Sequence, residues 1–279
     1  MAYPTVNGPY GLKAANEIGG LPYAGSTRMV PIASGYNQNL NFGDVVQIDT
    51  ATGTLIKSAV GTPGASQAAV AGTIGVFMGC EYSVVGAVIQ GKNRYQNWVA
   101  STVTSDCVAY VVDDPRAVFK AYVVTNNGTA SNTTQAALGQ VFVGSNLELV
   151  VNYSSTAPLN GNSSAALCTG ASGVKLTGAG PFRVVQLVPE TALSVATTLT
   201  VATSATQTPA SMTGLYPGML ISGSGVTAGT YVATVSATQF VASASFTSVS
   251  GATYTFTGAP EVLVTWNQGH HSYTNATGV

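Results

Sequence analysis

The chain has 279 residues, 46% of them hydrophobic and only 7% charged, with a formal net charge of -1. An average globular protein carries roughly 25% charged residues, so this composition offers no basic footprint for nucleic acid and little material for acid–base chemistry. No window of about 18 residues is unbroken by Gly, Ser, Thr or Asn, which argues against a spanning helix. Substantial apolar content with almost no net charge argues equally against disorder.

What remains is an ordered, all-β chain of one large or two ordinary domains. Its weakly charged surface favours assembly with partners. Residues 1–25 read as an extended N-terminal arm, with Pro4, Pro9, Pro22, five glycines and a possible helical turn at 14–18. Tyr3, Tyr10 and Tyr23 sit along it, and tyrosine brings a large contact area with a polar tip. The arm either lies on a partner or straps its own domain. The first residues carry no charged n-region and no apolar h-region, so no signal peptide is expected.

From residue 28 short β-prone runs follow one another at 28–33, 44–49, 54–57 and 72–79, with a hairpin loop at 50–53. Further strands are expected at 106–112, 117–124, 140–143 and 147–153, and surface loops at 125–139 and 154–173. These spacings suit a barrel or sandwich. Residues 182–188 and 261–267 should pair antiparallel around a block, Thr191 to Pro260, that contains no Asp, Glu, Lys, Arg or His. Five strands are expected inside the block, at 198–202, 219–222, 231–235, 240–243 and 252–257. The chain thus divides into the arm, a main β-barrel or β-tulip-like domain over 26–190 plus 261–279, and a small β-sandwich-like module at 191–260, inserted at a hairpin tip where an insertion leaves the core unchanged.

Candidate chemistry is sparse. Asp113-Asp114-Pro115-Arg116 reads as a turn with a local Arg–Asp contact, because neighbouring strand residues face opposite ways and Asp-Pro starts turns. His270-His271 has no further His, Cys or carboxylate close in sequence and reads as a solvated or interface pair. Cys80, Cys107 and Cys168 show no CxxC spacing and are expected as buried thiols. Gly223-Ser-Gly-Val-Thr-Ala-Gly229 lacks the lysine and following helix of a phosphate loop. Lys92-Asn-Arg94, beside Tyr95 and Trp98, reads as an interface loop, since two charges give too little electrostatic affinity for nucleic acid. No catalytic, cofactor or metal constellation emerges, so a non-enzymatic protein is expected.

Several segments together carry a resemblance. They are Gly8-Pro-Tyr-Gly-Leu12, Ala24-Gly-Ser-Thr-Arg28, Ile32-Ala-Ser-Gly-Tyr36, Phe42-Gly-Asp-Val-Val46, Gly75-Val-Phe-Met-Gly-Cys80, Val111-Val-Asp-Asp-Pro115 and the terminal Tyr273-Thr-Asn-Ala-Thr-Gly-Val279. This set resembles the head decoration, or cement, proteins of tailed bacteriophages, with a lambda-type decoration-like β-barrel core, over about residues 1–124 and the last twenty. Gly218-Met-Leu-Ile-Ser-Gly-Ser-Gly-Val226 with Gly229-Thr-Tyr-Val232 is similar to a β module that recurs in phage virion proteins. The chain is much longer than a minimal decoration protein, and the charge-free block is an addition. The resemblance implies a homotrimer made in the host cytoplasm and seated on the outer surface of the capsid, where it touches the major capsid protein and stabilises the shell. Tyr3, Pro4, Tyr10, Leu12, Tyr23, Tyr36, Tyr95 and Trp98 are the expected capsid or subunit contacts. Two other readings stand beside it: another virion component such as a tail or fibre protein, and a carbohydrate-binding β-sandwich using Trp98 and Trp266 as platforms. Weak glycan contact by the 191–260 module fits its Ser/Thr-rich faces.

Overall fold

The computed structural model describes residues 8–63, 67–83, 92–152, 160–177 and 180–276. The fold is all-β, 43% strand against 3% helical, as short β-prone runs without helical periodicity predict. The first part of the chain supplies β1 (Lys13–Glu17), β2 (Arg28–Pro31), β3 (Val45–Ile48), β4 (Leu55–Lys57), β5 (Thr73–Tyr82), β6 (Asn93–Tyr95), β7 (Val108–Val112) and β8 (Ala117–Val124). There follow β9 (Asn146–Val150), β10 (Ala166–Cys168), β11 (Phe182–Leu187), β12 (Leu193–Thr198), β13 (Thr203–Gln207), β14 (Leu220–Ser222), β15 (Val232–Val235), β16 (Phe240–Thr247), β17 (Thr253–Gly258) and β18 (Glu261–Trp266).

Strands β8, β10, β9, β11 and β18 close a five-stranded barrel, in which β8 meets β10 in parallel at one end and β18 antiparallel along most of its length. Alternation along each strand sends Phe119, Ala121 and Val123, Leu147 and Leu149, Phe182 and Val184, and Val262 and Val264 into one core. A second sheet, in the order β2-β7-β5-β3-β4 with β6 added to β5, packs on the barrel. Val45, Val76 and Val112 join the barrel core, while Val46, Phe77 and Val111 join a separate core around Leu40, Leu55 and Trp98. Burial on both faces explains why the run at 72–79 is almost wholly apolar. Gly75 is forced there, because a Cβ would lie 2.0 Å from the Val112 carbonyl oxygen.

β11 and β18 pair antiparallel around the charge-free block, with a bulge between Val184 and Gln186. Inside the block lie six strands rather than five, in two three-stranded sheets, β12-β17-β14 and β13-β16-β15. The run expected at 198–202 is instead a corner between β12 and β13, since Leu199 bridges to Pro209 there. The block's core contains Leu199, Met219, Ile221, Val232, Phe240, Phe246, Tyr254 and Phe256 and draws only Ala137 from outside. Beyond the hairpin tip the block also docks on the loop after β8. Ala137 N–H donates to Pro217 and Gly139 N–H to Gly218, at 3.0 and 2.9 Å, and a Cβ on Gly218 would meet the Leu138 side chain at 2.7 Å.

Several expectations need correction. In place of the helical turn expected at 14–18 stands β1, paired antiparallel with β8, and with Leu12 fully buried in the barrel core the described part of the arm takes the strap reading. Residues 140–142 form a 3-10 turn instead of a strand, which buries Phe142 against the edge of Tyr231, ring centroids 4.9 Å apart. The stretch 154–173, expected as surface loop, contains β10, fully buried between β8 and β9. The stretch 125–139 likewise ends in buried Ala136, Ala137 and Leu138. Lys92-Asn-Arg94 leads into β6, an edge strand whose Arg94 guanidinium sits 4.4 Å over the Tyr110 ring.

Candidate functional site

Among the described residues a concave feature lies where barrel and inserted block meet. β11 ends at Leu187, and Pro189 opens a short 3-10 turn, Pro189–Thr191, as its fixed φ and missing N–H suit a first helical position. Thr191 Oγ1 donates back to the Val188 carbonyl at 3.2 Å, and the chain turns directly into β12. The angle between these elements opens a cleft of about 840 Å³. Leu187, Pro189 and Leu193 give it apolar surface, Gln140, Gln186, Ser194 and Thr257 give it polar groups, and no charged side chain lines it.

A smaller hollow of about 390 Å³ shares Gln186 and Pro189 with the cleft and contains Lys120, Glu190 and Glu261. Glu261 opens β18 and is buried, with its carboxylate held by Lys120 Nζ at 3.2 Å and by the Tyr10 hydroxyl. Burial first, and then the Glu261 carboxylate, push the Tyr10 hydroxyl far above the ordinary tyrosine range. Tyr122, opposite Glu261 in the ladder, is pushed up to about 12 by burial and by neighbouring Tyr216 and Glu261. A carboxylate with donors from β8 and from the segment before β1 is built as a pin between elements, whereas a general base needs its lone pair directed at a substrate proton.

A second polar centre joins the two sheets. Asp44 and Lys57 form a buried ion pair at 3.0 Å. Asp44 also accepts from Ser163 Oγ at 2.6 Å and from Asn41 N–H at 2.8 Å, and Lys57 donates to the Asn39 carbonyl at 3.2 Å. The Phe42-Gly-Asp-Val-Val46 run is therefore structural, anchoring the loop before β10.

The residues expected as contacts are dispersed. Leu12 and Trp98 are fully buried, so each fills this chain's own core and neither can reach a partner. Trp266 is also in the barrel core, which removes both tryptophans as stacking platforms for sugars. Tyr10 is taken up by Glu261, and Tyr23 is half-buried with its hydroxyl on the Ser26 carbonyl at 2.6 Å. Tyr36 packs on the second core and its hydroxyl accepts from Lys57 N–H at 2.9 Å. Tyr95 stacks on Tyr82 with centroids 4.2 Å apart. Tyr3 and Pro4 lie outside the described residues. Sequence reading missed the cleft because its walls are ordinary Gln, Ser, Thr and Leu residues that only the hairpin insertion brings together.

Asp113 turns to Arg28 at 3.7 Å and to the Tyr273 hydroxyl at 2.9 Å, while Arg116 closes the turn through its N–H to the Asp114 carboxylate and accepts from Ile18 N–H through its carbonyl. His271, expected in solvent or an interface, is fully buried on Trp266. Its Nδ1 accepts from Tyr273 N–H at 3.2 Å, so Nε2 carries the proton and donates to the Ile74 carbonyl at 2.8 Å. Burial holds its pKa below the ordinary value, against smaller opposing effects from the Ile74 carbonyl, Asp113 and Asp114, and burial also lowers His270. The unfolded chain then takes up protons as pH falls through about 6.5 while the folded chain does not, so stability is full above that pH and declines below it. Urea midpoints should drop between pH 7.5 and 5.5, and by less in His271→Gln; an equal drop in both proteins would contradict this.

The three cysteines are buried free thiols. Among the described residues no group of three His, Cys, Asp or Glu could hold a metal ion, and no helix is long and apolar enough to cross a membrane. No family model, curated protein or solved structure matches the chain.

Proposed function

We propose that this chain is a structural virion protein, a decoration protein that binds the outer surface of a tailed-phage head as a homotrimer and clamps adjacent copies of the major capsid protein. The observation that carries this reading is where the few charges go. Asp44 with Lys57, Lys120 with Glu261, Arg28 with Asp113 and Lys92 with Asp106 are paired within the chain. The rest of the described surface carries only scattered charges of both signs, such as Lys13, Arg116 and Glu190, among hydroxyls, amides and exposed aliphatics such as Leu21, Met29 and Val103. Such a surface gains little from electrostatic steering and holds a partner through many simultaneous weak contacts, as a trimer on a repeating shell would. The sequence resemblance to phage decoration proteins supports the same assignment. The inserted block then projects away from the shell, since it has no charge with which to fix a register at the capsid floor.

The test combines sedimentation with shell binding. The purified protein should sediment as a trimer at micromolar concentration and co-sediment with the phage heads, adding density on their outer surface at three-fold positions. A monomer that leaves the heads bare would remove the proposal, and density confined to a tail would favour the other virion role.

A further inference from the structure

We infer that the cleft between barrel and inserted block is a binding site for a short, neutral oligosaccharide. The inference is independent of shell binding, because it uses only the cleft's own chemistry.

The first observation is unused hydrogen-bonding capacity. The buried polar side chains Gln67, Gln207 and Ser248 are bonded within the protein, whereas those of the cleft are open to solvent and to a ligand. In the cleft Gln140, Gln186, Ser194 and Thr257 converge on one space from four different elements, and among the described residues their side chains have no hydrogen-bond partner. Together they offer two amides, each both donor and acceptor, and two hydroxyls. That mixed set matches vicinal sugar hydroxyls, which donate and accept in turn.

The second observation is the remaining surface. Leu187, Pro189 and Leu193 supply apolar area, to which the C–H face of a pyranose ring can pack. No lysine, arginine or carboxylate lines the cleft to balance a charged ligand, and a buried unpaired charge is costly. Size argues for a small ligand, since eleven residues line the cleft against the roughly 20–30 a side that a folded partner engages. The cleft lies within the roughly 300–1,000 Å³ typical of small-molecule sites, whereas docking a folded partner needs about 800 Å² of surface on each side. The outer edge of β12 also offers unpaired main-chain groups to an extended peptide, the competing occupant that the test sets against the sugars.

The probes are maltotriose, cellotriose and chitotriose, with trigalacturonate as an anionic control. Saturation-transfer NMR and calorimetry on the full chain should show at least one neutral trisaccharide bound with Kd on the order of 1 mM, and trigalacturonate bound no better. Gln186→Ala combined with Ser194→Ala removes two exposed side chains and should weaken that binding at least about 5-fold with an unchanged thermal midpoint. Ala192→Trp, which fills the cleft from its exposed rim, should abolish it. The inference is overturned if none of the three neutral sugars binds at 10-fold that concentration (about 10 mM), if binding survives both variants, or if an uncharged extended peptide occupies the cleft while the sugars do not.

Discussion

Asp44→Ala is expected to lower the unfolding free energy by about 3–5 kcal/mol, the usual cost of removing one partner from a buried ion pair. The side chains of Asp44 and Lys57 are 2% and 5% exposed, so little water can compensate the ammonium left behind. The same substitution strips an acceptor from Ser163 Oγ and from Asn41 N–H, two further groups with no solvent close by. Since Ser163 leads into β10, the strand that completes the barrel between β8 and β9, the damage should spread from the second sheet into the barrel. Lys57→Met leaves the carboxylate two of its donors and should cost less than Asp44→Ala. The double variant Asp44→Leu with Lys57→Met should recover part of the loss, because apolar groups of similar volume can replace a buried pair at small cost. Guanidinium titration of the four proteins measures this. Single and double variants equally destabilised would mean that packing volume, rather than the unpaired charge, sets the penalty.

The architecture was legible where burial follows the two-residue strand period. β5, β7, β8, β11 and β18 emerge directly from runs rich in Val, Ile, Phe and Tyr set between turn formers such as Gly72, Asp113, Pro115, Pro181 and Asn267, and the pairing of β11 with β18 follows from their flanking a block of different composition. β10 was hidden because Ala166-Leu-Cys168 is too short for any period and is flanked by Ser and Asn, which ordinarily mark surface. Those polar neighbours are buried anchors: Ser163 holds Asp44, and Asn152 donates to the carbonyls of Asn132 and Ser164, both at 2.8 Å. The 3-10 turn at 140–142 reads as a strand from Val and Phe alone, since the Gly139 carbonyl that accepts from Phe142 N–H lies outside the apolar run. Tyr10, Tyr36 and Trp98 are expected contacts through the resemblance, and nothing local in the sequence shows that the chain's own core takes them up. Their burial depends on partners far away in sequence, such as Glu261 for Tyr10, which no local pattern reveals. The cleft was illegible for the same reason.

Phe256→Ala should unfold the inserted block without unfolding the barrel. Phe256 lies on β17, the central strand of its sheet, is fully buried, and meets Phe240 edge-on with ring centroids 5.3 Å apart. Truncating a buried phenylalanine to alanine costs about 3–5 kcal/mol, and a block of this size rarely has much more than that to lose. The block's core takes only Ala137 from the barrel side, and its strands pair only with one another. Cooperativity between the two parts therefore rests on the hairpin tip, the Ala137–Gly139 main-chain bonds, the Phe142–Tyr231 contact and the packing of β15 on the 3-10 turn Ala171–Gly173. Trp98 and Trp266 both lie outside the block, so tryptophan fluorescence reports the second sheet and barrel while far-ultraviolet circular dichroism reports all strands. In the variant the dichroism should show an early transition that the fluorescence does not follow. The fluorescence midpoint should stay near that of the parent, lowered only by what the loop after β8 loses when Ala137 and Phe142 are uncovered. If both signals instead shift together in one transition, the docking contacts couple the two cores into a single folding unit, and the block is an extension of the barrel that cannot be removed or replaced on its own.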